Sequence, residues 1–418
     1  MTSKQIKIIV LVGSYLPGYK GGGPIRSIAN LVEALGKEFD FNIVTLDRDL
    51  GESLPFPGVV TNRWVQVGRA NVIYLRSGLR SFLSMYELLR SIDENTILYL
   101  NSFFSRCFSM LPVLMCWLKL CRPKSLIIAP RGEFSLGAIQ FKRTRKRLYL
   151  WISQRLGLYS SVIWQASSMF EIQDINRQFL SVTEVAIASV ITSYKRNERS
   201  KVCLTITAAD IAVEPNTISS RIEQTKIPGR LKIVFVSRLS RKKNLSGALR
   251  MLERLSGYVS FDIYGPKEDQ NYWNECQRLI GVLPQNIQVR YMGAIENEII
   301  SSVLAEYNLF LFPTLGENFG HVIYEALAAG CPVLISDQTP WRNLEEEGVG
   351  WDIPLDAPGR FISVLQLCVN EDHERFSARS KRAIEYAANN SLVREAIKQN
   401  RFMFTACGAM GYFPHGQQ

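Results

Sequence analysis

Residues 309–341 read LFLFPTLGENFGHVIYEALAAGCPVLISDQTPW. The apolar run Leu309–Phe312 predicts a short buried strand, and the turn residues after it end that strand. The apolar spacing that follows predicts a helix over Phe319–Ala329, and Val333–Ile335 predicts a second strand. A strand, a glycine-containing turn, a helix and a strand in close succession are the repeating piece of a parallel α/β sheet. The same order recurs outward in both directions. Upstream, the β-branched run Leu231–Val236 leads into SRLSRKKN and a helix from about Leu245, with further strands at Ser260–Tyr264 and Gln288–Tyr291. A separate series starts at Ile6–Val12, a run apolar at nearly every position, as strands buried on both faces are. It continues through Gly21, Gly22, Gly23 and Pro24 into helical spacing at Ile25, Ile28, Leu31, Val32 and Leu35, then strands at Phe41–Leu46, Val72–Leu75, Thr96–Leu100 and Leu126–Ala129.

Two such series in 418 residues fit two domains rather than one core. The expected class is α/β, with two doubly wound parallel sheets of Rossmann-like type. The expected boundaries are 1–215 and 216–395, with a tail, 396–418, packing back on the first domain. Turn residues in EPNTISS and KIPG place the linker near Val213–Arg230. Eight Cys, at 107, 116, 121, 203, 276, 331, 368 and 407, form no CxxC pair and are too few for a disulfide scaffold, which points to a reducing compartment. The most apolar later run, Cys107–Cys121, contains Pro112 and Lys119 and falls short of the roughly 20 residues needed to cross a bilayer.

The stretch quoted above also carries two carboxylates, Glu317 and Glu325, on either side of the predicted helix start. Eight residues at helical rise span about 12 Å, roughly the length of a nucleotide-sugar. The opening N–H groups of the helix, at Phe319, Gly320 and His321, present partial positive charge where a diphosphate would rest. Ligands of doubly wound sheets bind beyond the carboxyl ends of the strands. The residues that follow strands here are Arg238 and Lys243, then Gly265, then Gly293, then Pro313–Gly320, including Asn318. Two cations and a helix start on one rim make a diphosphate cradle. Taken singly, Arg238 and Lys243 read as ordinary loop charges; beside the two carboxylates they read as a site.

On these residues the chain resembles the retaining glycosyltransferases of family 4, which have the GT-B fold of two facing Rossmann-like domains with an interdomain cleft. The motifs are Arg238 and Lys243 in SRLSRKKN, the Glu317-to-Glu325 element in GENFGHVIYEALAAG, and the loop Gly21–Gly23. The resemblance implies that Arg238 and Lys243 bind the donor diphosphate, assisted by the N–H groups of Phe319, Gly320 and His321. It implies that Glu325 holds the ribose hydroxyls and that Glu317 contacts the transferred sugar near the reacting carbon. Gly22, Gly23, Gly265, Gly293 and Asn318 are counted with the donor-binding residues. The patterns RGEFSLGA and ISDQTPW look most like bacterial enzymes of surface-polysaccharide assembly. The implied activity is transfer of a hexose-type sugar, with retention, from a nucleotide-sugar to a lipid-linked glycan. A sugar phosphorylase or a sugar-nucleotide epimerase of the same fold is the alternative.

Many members of that family carry a His near the reacting sugar in the N-terminal domain, but the His residues here are His321, His373 and His415. Arg131 and Glu133, after the strand Leu126–Ala129, are the candidates for that acceptor-side position, with a structural salt bridge as the equal alternative. Asp47-Arg48-Asp49 spells an Asp-x-Asp, a short and common pattern of metal-dependent transferases; a structural or acceptor-contact role is preferred. No metal or other cofactor is expected, because the cations named above already answer the diphosphate charge.

The net charge of +11 lies wholly in the first half: residues 1–220 hold 27 Lys and Arg against 16 Asp and Glu, the remainder 22 against 22. The densest run, within FKRTRKRLYLWISQRLGLY, sets five basic residues of Lys142–Arg147 before Leu, Tyr and Trp. A basic, apolar-aromatic helix over 142–155 suits an anionic membrane surface, with a solvated helix face as the plain alternative. Nucleic acid is not expected, as no zinc-ligand, recognition-helix or RNP-like pattern is present. The expected location is the cytoplasm, peripheral on the inner face of the cell membrane.

Overall fold

A computed structural model describes residues 5–134, 139, 143–179, 182–184, 203–211, 225–296, 299–389 and 391–409. The chain divides into two units, Met1–Ile211 with Leu392–Gln418, and Ala212–Ser391. The divisions fall four residues before the sequence boundaries at 215 and 395. Most of the expected linker, 212–224, lies outside the described residues.

The first unit is built on β1 (Ile6–Leu11), β2 (Phe39–Leu46), β3 (Trp64–Val67), β4 (Ala70–Leu75), β5 (Thr96–Leu100), β6 (Ser125–Ile128), β7 (Ile163–Ala166), β8 (Val182–Glu184) and β9 (Cys203–Thr207). They run in the order β3-β4-β2-β1-β5-β6-β7-β9-β8, parallel throughout except for the β3–β4 pair. Alternation along β1 divides the core. Ile9 and Leu11 face one cluster with Met85, Leu89, Val113 and Leu150, while Ile8 and Val10 face another with Ile28, Leu31 and Phe404. Helices cover both faces, so β1 and β5 need apolar residues at successive positions.

The tail is part of this second cluster. In the final helix, Ser391–Ala409, the Phe404 ring lies 5.6 Å from Phe39 and 5.5 Å from Tyr99. Asn400 donates to the Ala209 carbonyl at 2.7 Å, and Ser125 donates to the Cys407 carbonyl at 2.8 Å.

The second unit holds β10 (Arg230–Val236), β11 (Tyr258–Tyr264), β12 (Ile287–Gly293), β13 (Leu309–Phe312), β14 (Val333–Ser336) and β15 (Gly350–Ile353), all parallel, in the order β12-β11-β10-β13-β14-β15. This is the Rossmann order, and it reverses between β10 and β13, the point where such sheets bind ligands. The first sheet repeats the pattern around β1 and β5. The strands absent from the sequence expectation, β3, β7, β8, β9 and β15, are short or carry polar residues, such as Gln66 in β3, Gln165 in β7 and Asp352 in β15.

Candidate active site

The loops that leave β10 and β13 side by side meet at their tips. A short turn of helix, Arg241–Lys243, follows β10, and Asn244 closes it in the left-handed region at φ 56°. Asn244 then works in two directions. Its side-chain oxygen accepts from the Gly247 N–H at 3.2 Å, capping helix Leu245–Leu252, and its amide donates to the Pro313 carbonyl at 2.8 Å. The Lys242 carbonyl accepts from the Leu315 N–H at 2.8 Å and the Thr314 hydroxyl at 3.1 Å. The Gln338 carbonyl, after β14, accepts from the Glu317 N–H at 2.9 Å. Both loops are thereby fixed, and they bring the Lys243 ammonium onto the Glu317 carboxylate, with side chains 14% and 16% exposed. Burial pushes the Lys243 ammonium well below its ordinary pKa, and the neighbouring Lys242 and Arg238 push it further the same way. It is therefore a cation held where a further anion would be welcome.

Arg238, five residues earlier, is half-buried and pairs through Nη1 with Glu268 Oε1 at 2.9 Å. Its loop is seated by Gly265, at φ 135°, where an added Cβ would stand 1.8 Å from the Ser237 carbonyl oxygen. The Gly265 N–H bonds the Gly293 carbonyl at 2.7 Å, and its own carbonyl accepts from the Tyr291 hydroxyl at 2.9 Å. Gly265 and Gly293 thus space the loops after β11 and β12 behind Arg238.

The helix that carries Glu325 starts later than its apolar spacing suggested, running His321–Ala328 rather than Phe319–Ala329. Gly320 adopts φ 81°, ψ 60° and ends the loop, and Ile323 makes the first bond of the helical turn to the Gly320 carbonyl at 2.8 Å. The N–H groups of Phe319 and Gly320 consequently precede the helix instead of opening it. Phe319 is buried, its carbonyl accepting from Trp341 Nε1 at 2.6 Å and its ring 5.6 Å from that indole. Glu325 sits half-buried in the helix and Asn318 half-buried on the loop.

Residues 218–389 match the family described as Glycosyl transferases group 1. The second unit is a group 1 glycosyl transferase domain. The GtfA subunit of the UDP-N-acetylglucosamine–peptide N-acetylglucosaminyltransferase of Streptococcus agalactiae is 26% identical over 132 residues, 30% of this chain and 25% of that protein. A phosphatidyl-myo-inositol mannosyltransferase of Mycobacterium tuberculosis (strain H37Rv) is 35% identical over 72 residues, 17% of this chain and 19% of its own length. The chain thus spans a quarter or less of these two curated relatives. The fold of the whole chain resembles that of the Anabaena protein HepE, crystallised with UDP and glucose, at a TM-score of 0.62 and 16% identity, covering 96% of this chain and 100% of that one. Two Rossmann-like parallel-sheet units with these neighbours make the fold GT-B.

Outside the transferase domain, the remaining candidates fall in the first unit. Gly22, at φ 66°, and Gly23 open helix Gly23–Leu35 beyond β1. Asp49 holds the loop before them, accepting from the Tyr19 and Lys20 N–H groups at 2.8 and 2.9 Å. Asp47 instead takes Arg48 Nε at 2.9 Å, so the two carboxylates of the Asp-x-Asp are spent on different partners. Among the described residues no group of three or more His, Cys, Asp or Glu is placed to hold a metal ion.

Arg131 and Glu133 point into structure. The Arg131 guanidinium, 8% exposed, bonds Asp210, Asn101 at 3.1 and 2.7 Å, and the Tyr99 hydroxyl at 2.7 Å. Glu133 accepts from the Phe103 and Phe104 N–H groups at 2.7 and 2.9 Å and from the Ser102 hydroxyl at 3.0 Å. Arg131 thus makes a salt bridge to Asp210, and Glu133 anchors the loop of Ser102, Phe103 and Phe104. Three residues escaped the sequence reading: Asn244, Glu268 and Trp341. An Asn directly before the apolar start of helix Leu245–Leu252 is a capping signal that could have singled out the first; nothing local marks the other two.

Proposed function

We propose that the protein is a retaining glycosyltransferase that moves a hexose-type sugar from a nucleotide-sugar to a lipid-linked glycan in polysaccharide assembly. The observation that carries this reading is the Lys243–Glu317 contact at the reversal point of the second sheet, with Arg238 on the same loop. A diphosphate placed there would meet two cations, and its charge would favour the ammonium form of Lys243, which burial and the neighbouring Lys242 and Arg238 disfavour. Cleavage of the bond from the anomeric carbon to the diphosphate builds negative charge on the leaving oxygen, and fixed cations there lower the barrier. Glu317, touching Lys243, would face the sugar, and Glu325 the ribose. An acceptor hydroxyl attacking from the face of the departing phosphate can pass its proton to a phosphate oxygen, so no protein base is required and retention follows. The test is incubation with nucleotide-sugars and lipid-linked glycan, with the anomeric configuration of product read by NMR. Inverted product would end the retaining assignment, and epimerised donor without acceptor would favour the epimerase.

The lipid-linked acceptor is supported by the surface of the first unit. Between residues 95 and 170 the sequence holds eleven Lys and Arg and a single acid, Glu133, which is engaged as above. Helix Arg143–Arg155 exposes Leu148, Trp151 and Ile152 beside Arg145, Arg147 and Arg155, with Leu156 just beyond its end; Lys142 lies outside the described residues. Trp117 Nε1 donates to the Leu156 carbonyl at 3.2 Å, which sets this helix beside Leu111–Trp117, with exposed Leu114 and, past its end, Leu118 and Leu120. Helix Leu79–Arg90 packs on the same neighbour and exposes Leu79, Leu83 and Tyr86. No helix of the described residues is long and apolar enough to cross a membrane. An apolar, basic face of this kind suits the headgroup region of an anionic bilayer, each well-placed Lys or Arg contributing about 1 kcal/mol. Vesicle co-sedimentation tests it: binding should need anionic lipid and fall with salt, and equal binding to neutral vesicles refutes it.

A further inference from the structure

We propose that the first unit binds a phosphoryl group in a pocket beyond β2 and β4, and that this group belongs to the acceptor. The acceptor clause rests on the transferase reading above; the phosphoryl site does not.

The pocket is an open cleft of about 500 Å³, the size of a small-ligand site. It lies at the carboxyl edge of its sheet, as Asp47 and Arg48 directly follow β2 and Arg76 directly follows β4. Arg48, Arg76 and Arg80 line it against one carboxylate, Asp47, so it carries an excess of two positive charges. The partners of these arginines are unequal. Arg48 is committed to Asp47 at 2.9 Å and to the Ser53 carbonyl. Arg76 uses Nε on the Thr61 hydroxyl at 3.2 Å, and Arg80 makes no hydrogen bond or ion pair among the described residues. The exposed guanidinium forks of Arg76 and Arg80 suit a phosphate or diphosphate, which Arg binds in bidentate fashion. On the transferase reading Arg238 and Lys243 meet the donor diphosphate, so on that reading a phosphoryl group bound here is a second one.

The surroundings point to what the phosphate is attached to. Phe56 and Val59 form the apolar wall of the pocket, and the chain neighbours of its lining residues, Leu54, Val60 and Leu79, are exposed, Leu79 at 85%. Leu83 and Tyr86 continue from Leu79 at helical spacing along the exposed side of helix Leu79–Arg90. A ligand with a phosphorylated head and a hydrocarbon tail could seat its head among the arginines and lay its tail along this strip. A water-soluble sugar phosphate would use the head site alone.

The experiment is calorimetric titration of the full chain, with UDP present to fill the donor site, by inorganic pyrophosphate and separately by farnesyl diphosphate below its micellar concentration. Both probes should bind the unaltered protein, and Arg76→Gln/Arg80→Gln should weaken both at least tenfold while UDP affinity stays within twofold. Farnesyl diphosphate binding tenfold tighter than pyrophosphate assigns the phosphate to a lipid; equal affinities assign it to a soluble compound. Failure of both probes to bind, or a double variant within twofold of the parent for the probes that bind, overturns the site. If none of UDP, GDP, ADP, CDP and dTDP binds but the double variant still loses the probes, the phosphoryl site stands and the transferase reading falls.

Discussion

Replacing Lys243 with Met retains most of the apolar stem and deletes the ammonium that touches Glu317. In the proposed reaction that ammonium stabilises the leaving diphosphate, and loss of one such fixed contact costs about 3 kcal/mol in the transition state, or about 150-fold in rate. The effect on folding should be far smaller, because two costs oppose. Removing the cation leaves a carboxylate only 16% exposed without its partner, worth about 1–3 kcal/mol, but it also removes an ammonium that burial disfavours. A shift in Tm of no more than about 4 °C is expected. The nucleotide-sugar for the assay is found by thermal shift, since a ligand at 100 times its Kd stabilises by about 2.7 kcal/mol. Calorimetry adds a signature that a merely structural lysine would not give. The pKa of Lys243 is depressed in the free protein, and a bound diphosphate raises it, so nucleotide binding takes up protons at pH between those two values. Titration in buffers of different ionisation enthalpy reads this uptake, which Lys243→Met should abolish. Turnover within threefold of the parent enzyme, with proton uptake unchanged, would refute the assignment.

Gly265→Ala forces a Cβ to within 1.8 Å of the Ser237 carbonyl at a φ that favours glycine, so a loss above about 3 kcal/mol is expected in urea unfolding, with weakened nucleotide binding through Arg238. Arg131→Ala leaves Asp210 buried without its cation and should cost about 3–5 kcal/mol while nucleotide affinity per folded molecule holds. Loss of transfer with an unchanged urea midpoint would instead mark Arg131 as an acceptor contact. The bond from Arg401 holds the Glu38 carboxyl below its usual pKa, so this pair contributes stability above the unfolded carboxyl value of about 4.3 and loses it as pH falls through the folded value. Both partners are over 40% exposed, so Arg401→Gln should cost under about 1 kcal/mol at pH 7. That difference should shrink as pH falls through the folded value, and a gap that persists unchanged in strong acid would count against it.

Much of the second unit was legible because its signals are local. β10, β13 and β14 are runs of β-branched, aromatic and other apolar residues bounded by turn chemistry, and the ligand rim follows from strand order alone once the sheet is parallel. The helix start was misplaced by two residues because Phe319 fits the apolar stripe. The left-handed Gly320 and the Trp341 bond to the Phe319 carbonyl, a contact 22 residues away in sequence, decide otherwise. The first unit was harder. Arg131 meets Asp210 across 79 residues and Glu133 reaches back to Phe103, so their partners were invisible to any local pattern. β7 was hidden by Gln165, a buried polar residue whose amide bonds the Ala208 carbonyl at 2.8 Å.

The return of the chain to its starting unit sets an order of assembly. The second unit is one continuous stretch and can close as soon as it has left the ribosome. The first unit waits for Met403, Phe404 and Cys407, so Phe39, Phe41 and Tyr99 remain without part of their cover while some 300 further residues are made. At synthesis rates of about 5–20 residues per second, that interval lasts tens of seconds. The half of the protein that is translated first is therefore the half completed last, and a premature stop after Ser391 would spare the group 1 domain while opening the other unit's core.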